Sequence, residues 1–128
     1  MEEKRIRSLK DLEVYRLSYS LSVEIHYLTL TFPKEEMYSL TDQIRRSSRS
    51  VAANISEGFA KRYHINLFRN HLVIALGSLA ETKTWLEFAR DFSYISDEKF
   101  HEFFEKYDLA GAKLFRLLHN WHSIQSHK

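Results

Sequence analysis

The clearest structural signal in the chain lies at residues 100–121, FHEFFEKYDLAGAKLFRLLHNW. Apolar side chains recur there at alternating steps of three and four residues, at Phe100, Phe103, Tyr107, Ala110, Leu114, Leu117 and Trp121, and again at Ile124. This spacing places them on one face of a helix and is typical of the buried seam of a helical bundle. With Ser96 as its N-cap, the predicted helix spans about residues 97–124.

Three further helices are predicted upstream, over about residues 9–32, 35–58 and 64–92. Pro33 separates the first two, and Gly58 is predicted to cap the second in a left-handed conformation. The 128 residues contain three glycines, one proline and no cysteine, so turns are few and disulfide or thiolate chemistry is excluded. The prediction is a single all-α domain folded as an antiparallel up-down four-helix bundle.

Two of these helices carry apolar side chains on two faces. In the first helix, one stripe contains Val14, Leu17, Leu21, Ile25, Leu28 and Phe32, and the other contains Leu12, Tyr15, Tyr19, Val23, His26 and Leu30. In the third, Leu67, Ile74, Trp85 and Phe88 lie nearly opposite the main stripe, which contains Ile65, Phe68, Leu72, Ala75, Leu76, Leu79 and Leu86.

A helix of a monomeric bundle needs only one buried stripe. The extra stripes therefore favour a homo-oligomer, a closed ring or barrel with contacts from the first and third helices, where Gly77 and Ser78 permit close packing. The alternative is that one such helix lies centrally within its own bundle.

Positive charge is concentrated in and after the second helix. Residues 45–69 hold Glu57 as their one acidic residue against Arg45, Arg46, Arg49, Lys61, Arg62 and Arg69. On a helical wheel the first three arginines lie away from the apolar stripe, so they face solvent, a neighbouring subunit or phosphate. These six residues are the candidate nucleic-acid-binding set. Ion pairs with Glu81 or Glu87 of another subunit are the alternative role of the three arginines.

Several other residues are predicted to have structural or interface roles. Asn54 lies at the edge of the apolar stripe, where its amide must be satisfied by neighbouring groups, and Glu57 is placed to pair with Lys61. Glu81 lies near Trp85 on the second face of the third helix and is predicted to meet an arginine across an interface.

No catalytic, metal or cofactor site is predicted. The clustered serines, Ser47, Ser48 and Ser50, have no base in their helix. A di-iron site needs two Glu-x-x-His motifs, and the single copy is Glu98 to His101. The terminal histidines, His119, His122 and His127, lack the fixed ligand set of a structural metal. No phosphate loop occurs, and no apolar run approaches membrane length, so we expect a cytoplasmic protein without a cofactor.

Three segments carry a family resemblance: DLEVYRLSYSL (11–21), QIRRSSRSVAANISEGFAKR (43–62) and LVIALGSLAET (72–82). They resemble the 23S rRNA intervening-sequence protein family, also labelled S23, over about Asp11 to Trp121. The same fold includes the accessory variability proteins of diversity-generating retroelements. The resemblance implies a homopentameric barrel without known enzymatic activity and, in the retroelement branch, a basic surface that engages RNA and a reverse transcriptase.

From the residue patterns and the family resemblance together, we predict a non-enzymatic homo-oligomer that binds nucleic acid, with RNA as the expected partner. The alternative is a protein-interaction scaffold, for example for a reverse transcriptase or a ribonucleoprotein.

Overall fold

The computed structural model describes residues 6–125, and side chains as far as residue 121. Four α-helices account for most of this range: α1 (Glu13–Thr29), α2 (Leu40–Ala60), α3 (Ile65–Asp91) and α4 (Asp97–Gln125). Single 3-10 turns lie before α1 and between α1 and α2, at Leu9–Asp11 and Lys34–Glu36. No strand occurs within residues 6–125, so the all-α prediction is confirmed.

The helices form a closed cycle of neighbours in which α1 packs on α2, α2 on α3, α3 on α4, and α4 on α1. Their directions alternate. At the start of α2, the Arg45 guanidinium Nε donates to Thr29 Oγ1 at the end of α1, over 2.8 Å. At the other end of the bundle, the rings of Phe59 and Trp121 lie 6.3 Å apart, near the ends of α2 and α4. This arrangement is an antiparallel four-helix bundle.

The core is formed by the main stripe of each helix. The predicted seam of α4 is buried from Phe100 to Trp121, and its first turn is capped where the Lys99 backbone N–H donates to Ser96 Oγ over 3.0 Å. The apolar stripe of α2 is also buried, at Leu40, Ile44, Val51, Ile55 and Phe59. Burial of such side chains supplies most of the free energy that holds a bundle together.

Gly58 does not end α2 in the predicted left-handed conformation. The helix continues to Ala60, and no glycine in the described range has a positive φ. A Cβ at Gly58 would lie 2.8 Å from the Cβ of His71 and 3.0 Å from Cδ1 of Phe68. The prediction of a glycine cap was therefore wrong, because this glycine is needed for the close approach of α3 to α2.

Much of the second stripes of α1 and α3 is not covered by other parts of the chain, whereas Leu12, also predicted on the second stripe of the first helix, is buried in the core. On α1, Tyr19, Val23 and Leu30 are exposed, and Tyr27 beside them is 65% exposed. On α3 the exposed apolar side chains include Leu67, Val73, Ile74, Phe88 and Phe92. Neither helix is thus the central helix of its own bundle.

A hydrogen bond joins the two turns at one end of the bundle. Tyr94, in the α3–α4 turn, donates its hydroxyl to Glu36 Oε2 in the α1–α2 turn over 2.6 Å. This bond raises the pKa of Tyr94 to about 12. The pKa of Glu36 is lowered by hydrogen bonds from Ser39, Tyr94 and the Leu40 backbone N–H.

None of the helices in residues 6–125 is both long and apolar enough to cross a membrane.

Candidate nucleic-acid interface

Three of the predicted binding residues lie in the first half of α2. Arg46 and Arg49 are exposed, whereas Arg45 is half-buried at the α1–α2 contact, where it bonds Thr29. The expectation that Arg45 faces solvent or a partner is therefore corrected, because this guanidinium ties two helices of one chain together. Arg46 Nε pairs with Asp42 Oδ2 at 2.9 Å, and Arg49 Nη2 lies 3.4 Å from His26 Nδ1.

The other three binding candidates lie at the end of α2 and the start of α3. Lys61 Nζ donates to His71 Nε2 over 3.1 Å, and Arg69 Nε donates to the backbone carbonyl of Leu118 on α4 over 3.3 Å. At 1.5 Å per residue, Arg49 and Lys61 are separated by about 18 Å along α2. The six candidates thus form two groups, one in the first half of α2 and one where α2 ends and α3 begins.

Arg62 lies between two aromatic rings. Its guanidinium carbon is 4.0 Å from the ring centre of Phe59 and 4.8 Å from that of Tyr63. Two further hydrogen bonds hold it, from Nη1 to the Phe59 carbonyl at 3.0 Å and from Nη2 to the Tyr63 hydroxyl at 3.3 Å. A guanidinium stacked in this way keeps its charge while its plane is fixed.

Five of the six candidate cations are held by neutral groups. Of these six candidates, only Arg46 has a carboxylate within ion-pairing distance among residues 6–121, and that pair is exposed. The remaining five contact a hydroxyl, an imidazole nitrogen, a backbone carbonyl or an aromatic ring. Their positive charge is consequently uncompensated locally, which is the electrostatic condition for phosphate binding.

Asn54 connects α2 to α3 through hydrogen bonds. Its Nδ2 donates to the Ser50 carbonyl over 2.9 Å, and its Oδ1 lies 3.2 Å from His71 Nδ1. Because an amide oxygen only accepts, Nδ1 of His71 carries the proton and Nε2 accepts from Lys61. Ser50 Oγ in turn lies 2.8 Å from Ser78 Oγ, so Ser78 faces α2 of its own chain.

The remaining predicted interface residues lie on the outer side. Gly77 is exposed, and a Cβ there would meet nothing within 4 Å. Glu81 is exposed and accepts from the indole N–H of half-buried Trp85 over 3.1 Å. Glu57 is exposed too, and Lys61 turns to His71 instead of forming the predicted pair with Glu57.

A shallow groove of about 360 Å³ runs between α1 and α2, lined by Tyr19, Ser22, Val23, His26, Tyr27 and Arg49. Its walls combine apolar surface with one guanidinium. The sequence pattern indicates Arg49 and the apolar side chains of α1 separately, but it does not place them in one groove because that depends on the packing of α1 against α2.

The clustered serines and the histidines take part in ordinary packing. Ser47 Oγ accepts from Thr82 at 2.8 Å, and Ser48 Oγ donates to the Arg45 carbonyl at 3.1 Å. His101 and His119 each lie against a phenylalanine ring. Among the described residues, no group of three or more His, Asp or Glu is placed to hold a metal ion. The side chains of His122 and His127 lie outside the described residues.

The family model of the 23S rRNA-intervening sequence proteins matches residues 10–116, which is most of the chain. The chain belongs to this family. The fold of this family member is similar to a crystal structure at 1.70 Å resolution of a protein of unknown function, from the S23 ribosomal protein family of Bacteroides thetaiotaomicron VPI-5482. The two share 26% identity with a TM-score of 0.74, over 82% of this chain and 94% of the other. Among curated proteins, no match is found.

Proposed function

We propose that this chain is a non-enzymatic protein that self-associates and binds RNA through its basic surface. The observation that carries the RNA proposal is the set of candidate cations held by neutral partners, because such groups gain most from a phosphate. The family description refers to 23S rRNA, which agrees with an RNA partner. Contacts of this kind are made to the backbone, so the protein reads little base sequence.

Self-association is proposed through the uncovered stripes of α1 and α3. The groove between α1 and α2 combines apolar walls with Arg49, and the exposed face of α3 combines apolar side chains with Glu81, Glu87 and Asp91. The two surfaces are complementary in charge and both are apolar. A contact between different surfaces of identical copies generates a ring when the rotation closes, and a pentamer is the ring that the resemblance implies.

RNA binding is tested by titrating a labelled structured RNA at several salt concentrations. The variant Arg46→Gln/Lys61→Gln removes two exposed cations, one of which is in a surface ion pair. The matched control, Lys34→Gln/Lys99→Gln, also removes two exposed cations, one of them paired with Glu102 at 3.3 Å, but both lie outside the candidate set and at the end of the bundle opposite Lys61. We expect the first variant to bind more weakly and to lower the salt slope by about two.

Equal salt slopes for the two variants would contradict the proposed site. Binding that is insensitive to salt in the unmodified protein would instead favour the protein-scaffold alternative. Self-association is checked separately by light scattering. A monodisperse species with the 15.3 kDa mass of one chain would reject it.

A further inference from the structure

The two ends of the bundle carry opposite charge. One end comprises residues 6–16, 60–69 and 113–121, which contain three, three and two lysines or arginines, against Asp11 and Glu13. We call this the basic end. The other comprises residues 28–42 and 86–102, which contain three and five acidic residues against three basic ones. The up-down topology creates this separation, because it gathers segments distant in sequence at each end.

Contacts between helices confirm that the basic end is one surface. Lys113 of α4 pairs with Glu13 of α1 at 2.9 Å, and Arg69 of α3 bonds the Leu118 carbonyl of α4. The pair with Lys113 lowers the pKa of Glu13. Asp11 accepts from the backbone N–H groups of Arg7 and Ser8. Eight basic residues against these two acidic ones leave the basic end with a strongly positive net charge.

Tyr63 is an exposed aromatic residue at the basic end. Its side chain is 77% exposed, in the turn between α2 and α3. The ring is nevertheless held in place, because Arg62 stacks between it and Phe59 and also donates to its hydroxyl. Phe59 in turn packs against Trp121 in the core. An ordered stack thus runs from the hydrophobic core to an exposed aromatic ring.

We infer that Tyr63 is a stacking site for an unpaired base of single-stranded RNA at the basic end of the bundle. A base lies on the open face of the ring while the surrounding cations contact the phosphates on either side. This combination of aromatic platform and basic surroundings is the one by which proteins bind single strands without reading sequence. In a duplex the faces of all base pairs except the two terminal ones are covered by their neighbours, so a paired strand offers the ring far fewer open faces. The inference rests on the proposed RNA binding and specifies the form of RNA.

The experiment compares a short labelled RNA single strand with the same strand annealed to its complement. Tyr63→Ala removes the ring, and Tyr63→Phe keeps it. Tyr38→Ala is the matched control, because Tyr38 is 91% exposed but lies at the acidic end beside Glu35 and Glu36. We expect Tyr63→Ala to weaken single-strand binding on the order of tenfold, with little change in duplex binding. Tyr63→Phe and Tyr38→Ala should bind as the unmodified protein does.

Unchanged single-strand affinity in Tyr63→Ala would overturn the inference and leave the proposed RNA binding intact. Equal weakening by Tyr63→Ala and Tyr38→Ala would also overturn it, since the effect would not belong to the basic end. Failure of the unmodified protein to bind either RNA would refute the proposed function itself. Circular dichroism melting curves of the four proteins establish that each variant is folded.

Discussion

Replacing Gly77 with alanine is expected to raise the stability of one chain and to weaken its self-association. Gly77 lies inside α3 and is exposed, and a methyl group at this position would have no atom of its own chain within 4 Å. An alanine there relieves the entropic cost of a helical glycine, so the free energy of unfolding of the isolated chain should rise by roughly 0.5–1 kcal/mol. Nothing within the chain opposes this gain.

The opposite result is expected for assembly. Gly77 lies between exposed Ile74 and Glu81 on the α3 face that we propose as an interface. A methyl group forced into a packed interface costs about 1–3 kcal/mol. Each 1.4 kcal/mol corresponds to a tenfold change in affinity, so the dissociation constant should rise about 5- to 150-fold. Sedimentation velocity over a concentration series measures this constant, and urea unfolding at the lowest concentration measures chain stability.

Gly111→Ala is the control for this prediction. A Cβ at Gly111 would lie at ordinary contact distances of 3.6 and 3.8 Å from the Leu79 methyl groups, so it also suits a helix interior. This variant should be more stable and should assemble normally. If Gly77→Ala and Gly111→Ala assemble equally well, close packing against Gly77 in another subunit is refuted.

Three further substitutions test the packing of a single chain. Gly58→Ala should lower the free energy of unfolding by about 1–3 kcal/mol, because its methyl would overlap α3; chemical denaturation measures this. Ser93→Gly should raise it by about 0.5–1 kcal/mol, since Ser93 has a φ of 64°, and a higher melting temperature would show this. Glu36→Gln should lower the melting temperature at pH 7, whereas neighbouring Glu35→Gln should not. Because the pKa of Glu36 is lowered from 4.5, its contribution is present above pH 4.5 and is lost on acidification, so melting curves of Glu36→Gln and the unmodified protein should converge below that pH.

Much of the fold follows from the periodicity of the sequence. The seam of α4 is visible because one strict pattern extends from Phe100 to Trp121, and its burial confirms that pattern. Pro33 marks the region between the first two helices, but the predicted start of the second helix was too early. The chain instead forms a 3-10 turn at Lys34–Glu36, and α2 begins at Leu40.

The roles of individual residues were harder to predict because they depend on packing between helices. A glycine near the end of a periodic segment commonly caps a helix, yet at Gly58 the neighbouring α3 determines its role. A helical wheel places Arg45 away from the apolar stripe of α2. It does not show that Thr29 of α1 lies within hydrogen-bonding distance of the Arg45 guanidinium. The sequence does not reveal the ordered ring of Tyr63, since its stack with Arg62 depends on the conformation of the turn.

The opposite charges at the two ends of the bundle also affect how copies of the chain can associate. If protomers associate side by side in the same direction, their basic ends meet at one rim, and the resulting repulsion opposes assembly. A polyanion laid across that rim removes the repulsion, so RNA binding and assembly are linked equilibria. By thermodynamic reciprocity, RNA must then strengthen the oligomer by the same factor by which the oligomer strengthens its hold on RNA.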